Sequence, residues 1–364
     1  MRYLLILLIF TCTVISGKSQ EYQSTPADLS QLFNSEAVLH INLKGDIRTL
    51  FNDRKEPEYH PIVFSYQEND EWHKVNIRVK TRGHFRRMKE NCLTPPLLLN
   101  FDSLPDISSS LFEGQNKLKL VTTCVDERFV IREYLAYKIY QLITPYSFRV
   151  RLVKVSFDDT ERNRTTPAKY GILLEDHNKM ASRNNAIIRK QLKLSPETTD
   201  REFFLKMAVF QYLIGNTDWS IQYLHNIKIL VRNGTSLVAV PYDFDMSGIV
   251  NTPYAAPAEA LQLSSVRSRR YRGYCIEDMS EFQSTFDLFN ELKNDIYAIY
   301  ENNPLIDQNY RKNTIKYLDR FYDIINDKKR SKKEFQYPCK SGGTGNVVIQ
   351  GLKDHSIENK KNSD

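Results

Sequence analysis

Gly215-Asn216-Thr217-Asp218-Trp219-Ser220, then Leu224-His225-Asn226, then Pro241-Tyr242-Asp243-Phe244-Asp245 is the stretch on which the reading of this chain turns. Upstream of it, residues 201–213 have the apolar spacing of an amphipathic helix that ends near Gly215. Asp218 follows in a loop. Residues 226–231 and 237–240 read as two strands joined at Asn233-Gly234, a hairpin turn. The hairpin then presents Asn226 on entry and Asp243 on exit at one end, and Asp218 lies on the loop that feeds that end. Asn and Asp also serve turns and helix caps, so an isolated Asp-Phe-Asp carries no information. The order Asp, Asn, Asp around a short hairpin does, because phosphoryl transfer needs those groups. One carboxylate orients and deprotonates the attacking hydroxyl, while an amide oxygen and a second carboxylate hold the divalent cation that bridges the nucleotide phosphates.

Working outward, the first half of the chain is rich in strand patterns. Residues 37–43, 61–66 and 72–80 read as strands, the last two forming a hairpin around Asn69-Asp70. Residues 97–101 and 117–121 are further strands, and in the second of these the Leu residues share one face and Lys117 and Lys119 the other. The period changes to helical over 127–143, and strands return at 148–157 and 170–174. The second half reads as mainly helical, with helices over 285–301 and 309–326. A phosphoryl-transfer site also needs a cation for the phosphates, usually a strand Lys paired with a helix Glu. Lys119 and Glu133 are the candidates, with Lys117 as the substitute; a solvated strand face explains these lysines equally well. The turn Arg82-Gly83-His84-Phe85-Arg86-Arg87 could bring amides and guanidinium groups to phosphates, or could be a β-turn with solvated charges.

Composition bounds the alternatives. The 364 residues are 41% hydrophobic, 12% aromatic and 26% charged, which excludes wholesale disorder. The net charge of +7 is spread over a long chain; it suits anionic substrates and does not argue for nucleic acid. There is no Walker-type loop, no dinucleotide-binding glycine fingerprint and no G-x-S-x-G, and the histidines lack metal-ligand spacing. Arg267, Arg269, Arg270 and Arg272, interleaved with Tyr271 and Tyr274, could clamp an anionic substrate or form a surface loop. At the N-terminus, Arg2, an apolar run from Leu4 to Ile15 and Gly17-Lys18-Ser19 read as a secretory signal peptide over residues 1–19, which predicts a secreted or periplasmic protein with no transmembrane segment after cleavage. Export leaves Cys92, Cys124, Cys275 and Cys339. We expect Cys92–Cys124 and Cys275–Cys339, each pair lying within one half of the chain, over a zinc site that no spacing supports.

The run Asn216-x-Asp218, His225-Asn226, Pro241-Tyr242-Asp243-Phe244-Asp245 resembles the signature of the CotH kinase-like family, the spore-coat protein H group. Residues Ile77-Arg78-Val79-Lys80-Thr81-Arg82-Gly83, Lys117–Val121 and Tyr170-Gly171-Ile172-Leu173-Leu174-Glu175 resemble, in order, its Arg-Gly turn, its lysine strand and its Gly-to-Glu strand. The resemblance spans roughly residues 36–300 and implies an α+β, two-lobed protein-kinase-like fold. It would have a signal peptide (1–19), a linker (20–35), a β-rich N-terminal lobe (36–178), a mainly helical C-terminal lobe carrying the catalytic and metal loops (179–327), and a basic, largely disordered tail (328–364) anchored at Cys339. It further implies ATP with Mg2+ or Mn2+, and transfer of the γ-phosphate to a hydroxyl of a protein substrate. Asp218 is then the catalytic base, with Asn226 and Asp243 as metal ligands and Asp245 as an alternate. Lys119 takes the phosphates with Glu133 and Arg82, and Glu175 lies near the adenine. Some relatives act as adhesion or structural proteins, so a non-catalytic binding, adhesion or envelope role on the same scaffold is the alternative expectation.

Overall fold

A computed structural model of the chain describes residues 31–101 and 110–340. The expected signal peptide, residues 20–30 of the expected linker and the tail beyond residue 340 lie outside the described residues. In chain order the elements are β1 (Leu39–Gly45), α1 (Ile47–Asn52), β2 (His60–Glu68), β3 (Glu71–Thr81), β4 (Leu97–Asn100), β5 (Lys117–Val121), α2 (Glu127–Ile143), β6 (Val150–Asp159), β7 (Arg164–Thr165), β8 (Lys169–Leu174), α3 (His177–Arg183), β9 (Ala186–Arg189), α4 (Arg201–Ile214), β10 (Ile227–Arg232), β11 (Ser236–Pro241), α5 (Gln283–Glu291), α6 (Lys293–Glu301), α7 (Gln308–Ile325) and α8 (Lys328–Phe335).

The strands of the first half run in the order β1-β2-β3-β4-β5-β8-β6-β7, and β1 also pairs with β6 in parallel from Leu39↔Val153 to Gly45↔Asp159. That last ladder closes seven strands into a barrel, with β7 as an extra strand on β6. Closure satisfies the strand edges that an open sheet would expose. Period-2 alternation fills the inside: Leu39, Ile41 and Leu43 of β1, Ile77 and Val79 of β3, Leu118 and Leu120 of β5, and Val153, Val155 and Phe157 of β6 share one buried cluster. Each such side chain contributes about 1.5–3 kcal/mol by leaving water.

The two-lobed kinase-like architecture expected from the sequence is not what the chain adopts. The β-rich half is a closed barrel rather than one lobe's sheet, and the helical half carries its own three-stranded sheet, β11-β10-β9, giving a mixed α/β molecule. One buried cluster spans the expected border near residue 178. Val150 and Leu152 of β6, and Ile172 and Leu174 of β8, belong to the same buried cluster as α2, α4 and the α5–α8 region. β6 and β8 are thus buried on both faces, inward against the barrel and outward against α2.

Local rules account for the rest. α4 ends at Gly215, whose left-handed backbone (φ 66°) is the usual glycine stop. A Cβ there would meet the Tyr317 hydroxyl at 2.2 Å, so no larger residue fits. The expected helix over 285–301 is divided at Leu292 into α5 and α6. The first part of the basic tail is helical: α8 docks Phe335 against Tyr212, Tyr271, Phe282 and Phe286, with ring centroids 4.9–5.3 Å away. Both expected disulfides are present, Cys92–Cys124 and Cys275–Cys339, with Cα separations of 5.2 and 4.6 Å. Among the described residues no helix is long and apolar enough to cross a membrane.

Candidate functional site

The expected Asp–Asn–Asp motif is built on two turns that bring distant residues back together. Asp218 follows α4 in a loop whose turn is closed by a bridge between Ser220 and His225, with both backbone hydrogen bonds at 3.0 Å. That bridge returns His225 and Asn226 to Asp218. His225 Nε2 lies 2.8 Å from Asp218 Oδ1, and Asn226 Nδ2 donates to the Asp218 carbonyl at 2.9 Å and to its Oδ2 at 3.1 Å. The Asn216 side chain accepts from the Asp218 backbone N–H at 3.0 Å. Leu224 (φ 51°), Asn226 (φ 52°) and Asp243 (φ 64°) all hold left-handed backbone, which Asn and Asp tolerate best among non-glycine residues. For Leu224 it is a strained conformation that the closed turn imposes.

Asp243 arrives from the other side of the hairpin. Tyr242 donates its backbone N–H to the Asn226 carbonyl at 3.0 Å, which sets Asp243 one residue beyond that pair. The Asp243 N–H donates to the Tyr137 hydroxyl on α2 at 2.8 Å. Phe244 is fully buried against Tyr137 and Phe210, with ring centroids 4.6 and 5.3 Å away, so the Asp-Phe-Asp segment is fixed by its central ring.

The arginine run sits behind this loop. Arg272 is buried and donates to the carbonyls of Thr217 and Trp219, on either side of Asp218. Burial brings its pKa down to about 10. Arg269 donates to the carbonyls of Tyr212, Leu213 and Tyr317 and stacks on the Tyr317 ring. Both side chains are committed to tying α4 and the Asp218 loop together, rather than to clamping a substrate.

The basic side of the site gathers around Tyr242. Lys119 Nζ from β5 and Lys228 Nζ from β10 lie 4.7 and 5.5 Å from the centroid of that ring. Burial holds the Lys119 amine well below its ordinary value; Arg82 and Lys228 add to this, and Asp176 and Asp243 oppose it. His177, at the start of α3, faces Asp176, Lys119, Lys228 and Lys190, and burial lowers its pKa to about 4. The folded protein thus keeps His177 neutral where the unfolded chain, with the ordinary value of 6.5, is protonated. Its stabilising contribution is complete above pH 6.5 and is lost as the pH falls towards 4. In urea titrations His177→Gln therefore flattens the pH dependence of stability over that window, whereas curves parallel to those of the unaltered protein would remove His177 from this role.

One expected partnership is arranged differently. Glu133 does not pair with Lys119; the buried Arg86 lies 3.8 Å from it. Arg86 also lies 3.5 Å from Asp243 and 3.3 Å from Asp245, and Tyr254 donates to Asp245 at 2.9 Å. Burial disfavours the Arg86 charge, but Asp245, Tyr254, Glu133 and Asp243 outweigh it and hold its pKa well above the ordinary value. Burial raises Asp245 to about 7 and pushes Glu133 well above the usual carboxylate range. Glu175, expected beside a nucleotide base, accepts from Arg183 Nε at 2.9 Å and from the Arg149 backbone N–H at 2.9 Å. Arg86 and Arg272 are the residues that sequence reasoning did not single out individually; each stood in an arginine-rich run whose solvated reading was equally good.

For a divalent cation the donor set is narrow. The Asn226 amide nitrogen is spent on Asp218, which leaves its carbonyl oxygen to offer. Asp243 is about a third exposed. Asp245, enclosed by Arg86 and Tyr254, is the poorer donor. Among the described residues no three or more His, Cys, Asp or Glu side chains converge as a metal cage. Asn226 and Asp243 are the residues that would hold a cation here, a small protein donor set of the kind Mg2+ uses. No protein-family model matches the chain, and a search of curated proteins returns no match.

Proposed function

We propose that this protein is an exported phosphotransferase that moves the γ-phosphate of ATP to a hydroxyl of a protein substrate with Mg2+ or Mn2+. The observation that carries the reading is the contact of Asp218 with His225 and Asn226, next to the hairpin exit at Tyr242-Asp243 where Lys119 and Lys228 gather. The same groups carry the resemblance to the CotH kinase-like family. Asp218 accepts the proton of the acceptor hydroxyl, and its two oxygens are oriented by His225 and Asn226. Lys119, Lys228 and Arg82 attract and orient the phosphate chain. Asn226 and Asp243 would hold a divalent cation, which would supply neutralisation of phosphate charge. The two disulfides support export, since such bonds persist in oxidising compartments.

In calorimetric titrations Asp243→Ala loses metal-dependent nucleotide binding. Unchanged binding would remove Asp243 from the role. A second reading, a non-catalytic binding or envelope protein, draws on Arg86, whose guanidinium already neutralises Asp245 and touches Asp243. ATP binding without transfer of label from γ-labelled ATP to protein favours that second reading.

A further inference from the structure

The loop that carries Arg86 is fastened by a covalent bond. The 3-10 turn Phe85–Arg87 delivers Arg86 to the carboxylates, and six residues after Arg86 Cys92 is bonded to Cys124, just ahead of α2, the helix that carries Glu133. Arg86, Cys124, Asp126, Val130, Glu133 and Asp245 line one small pocket, so Cys124 borders the same space as the ion cluster. Hydrogen bonds also hold the loop, among them Asn91 Nδ2 to the Phe85 carbonyl at 2.9 Å, and Arg54 to the carbonyls of Arg87, Cys92 and Leu93 at 2.6–3.1 Å. Cys92 is buried, but Cys124 is only partly so, and exposed Leu93 (73%) and Val125 (55%) adjoin the two cysteines. The Cys124 side is therefore the more open approach to the bond.

We propose that Cys92–Cys124 is a reversible thiol–disulfide exchange site whose reduction by a dithiol releases the Arg86 loop from the carboxylate cluster. One thiolate of the reductant attacks Cys124 Sγ and expels the Cys92 thiolate. The second reductant thiol then displaces Cys124, so the reductant leaves as a disulfide and both cysteines take up protons. Two electrons pass from reductant to protein. Once released, Arg86 no longer neutralises Asp243 and Asp245, and the acidic side of the site gains net negative charge. The consequence for catalysis rests on the phosphotransfer reading; the release of the loop does not.

The test needs neither nucleotide nor acceptor. Full-length protein is digested briefly with trypsin before and after treatment with dithiothreitol, and the fragments are mapped by mass. The Cys92→Ser/Cys124→Ser variant, which keeps Cys275–Cys339, is digested alongside. Reduction and the double substitution both raise cleavage at Arg86, Arg87 and Lys89 by about tenfold or more, with sites in α4 and α7 still protected. Equal cleavage in the oxidised and reduced forms overturns the proposal. So does cleavage that rises throughout the chain, because the bond would then simply hold the fold together.

Discussion

Asp218→Asn lowers phosphate transfer from ATP by about 10²–10⁴-fold, the range that general-base catalysis supplies, while nucleotide binding stays within a fewfold of the unaltered protein. The substitution keeps the shape of the side chain and an oxygen for His225, but removes the group that takes the acceptor's proton. The nucleotide contacts proposed here come from Lys119, Lys228, Arg82, Asn226 and Asp243, so binding and transfer separate. The measurement is label incorporation from γ-labelled ATP, paired with a nucleotide titration of the same preparation. Loss of both together would place Asp218 among the binding groups; loss of neither would remove it from the site.

Arg86→Ala has the largest expected effect on stability. Arg86 is 8% exposed and faces three carboxylates, two of them nearly buried. Removing one partner of a buried ion cluster leaves uncompensated charge in a region of low dielectric, which costs about 3–5 kcal/mol. The alternative is that Glu133 and Asp245 take up protons, and that is also paid in stability at neutral pH. Chemical denaturation of the Arg86→Ala protein at pH 7 reads this directly. Arg86→Lys recovers part of the loss, because it restores the charge without the forked geometry that reaches Asp243, Asp245 and Glu133 together. A loss below about 1 kcal/mol for Arg86→Ala would show that the cluster contributes no more than an exposed ion pair.

The hairpin that supports the site was legible because its signals are local. A helix ending at a glycine, an Asn-Gly turn and two short alternating strands fix β10 and β11 within a residue or two of where the sequence puts them, and with them the approach of Asn226 to Asp218. The barrel was not legible, because its closure depends on β1 pairing with β6 across more than a hundred residues, and no local pattern in Leu39–Gly45 says which strand covers its second edge. For the same reason the sequence suggests two separate halves: nothing in β6 or β8 shows that their outward faces share a core with α2 and α4. The Glu133 partnership was missed for a chemical reason. Strand lysines and helix glutamates are a familiar pair, whereas Arg86 sits in a Gly- and Arg-rich turn that resembles a solvated loop. Its burial follows from the fold of the 82–96 segment, including the Cys92–Cys124 bond, which brings it over Asp245.

The most direct test of the account is an ATP titration of the purified protein in the presence of Mg2+ and again with excess chelator. Asn226 and Asp243, with Lys119 and Lys228 gathered at the neighbouring Tyr242, predict saturable binding of one nucleotide that weakens sharply when the cation is withdrawn. No binding with Mg2+ present, or binding that is the same with chelator, would contradict it.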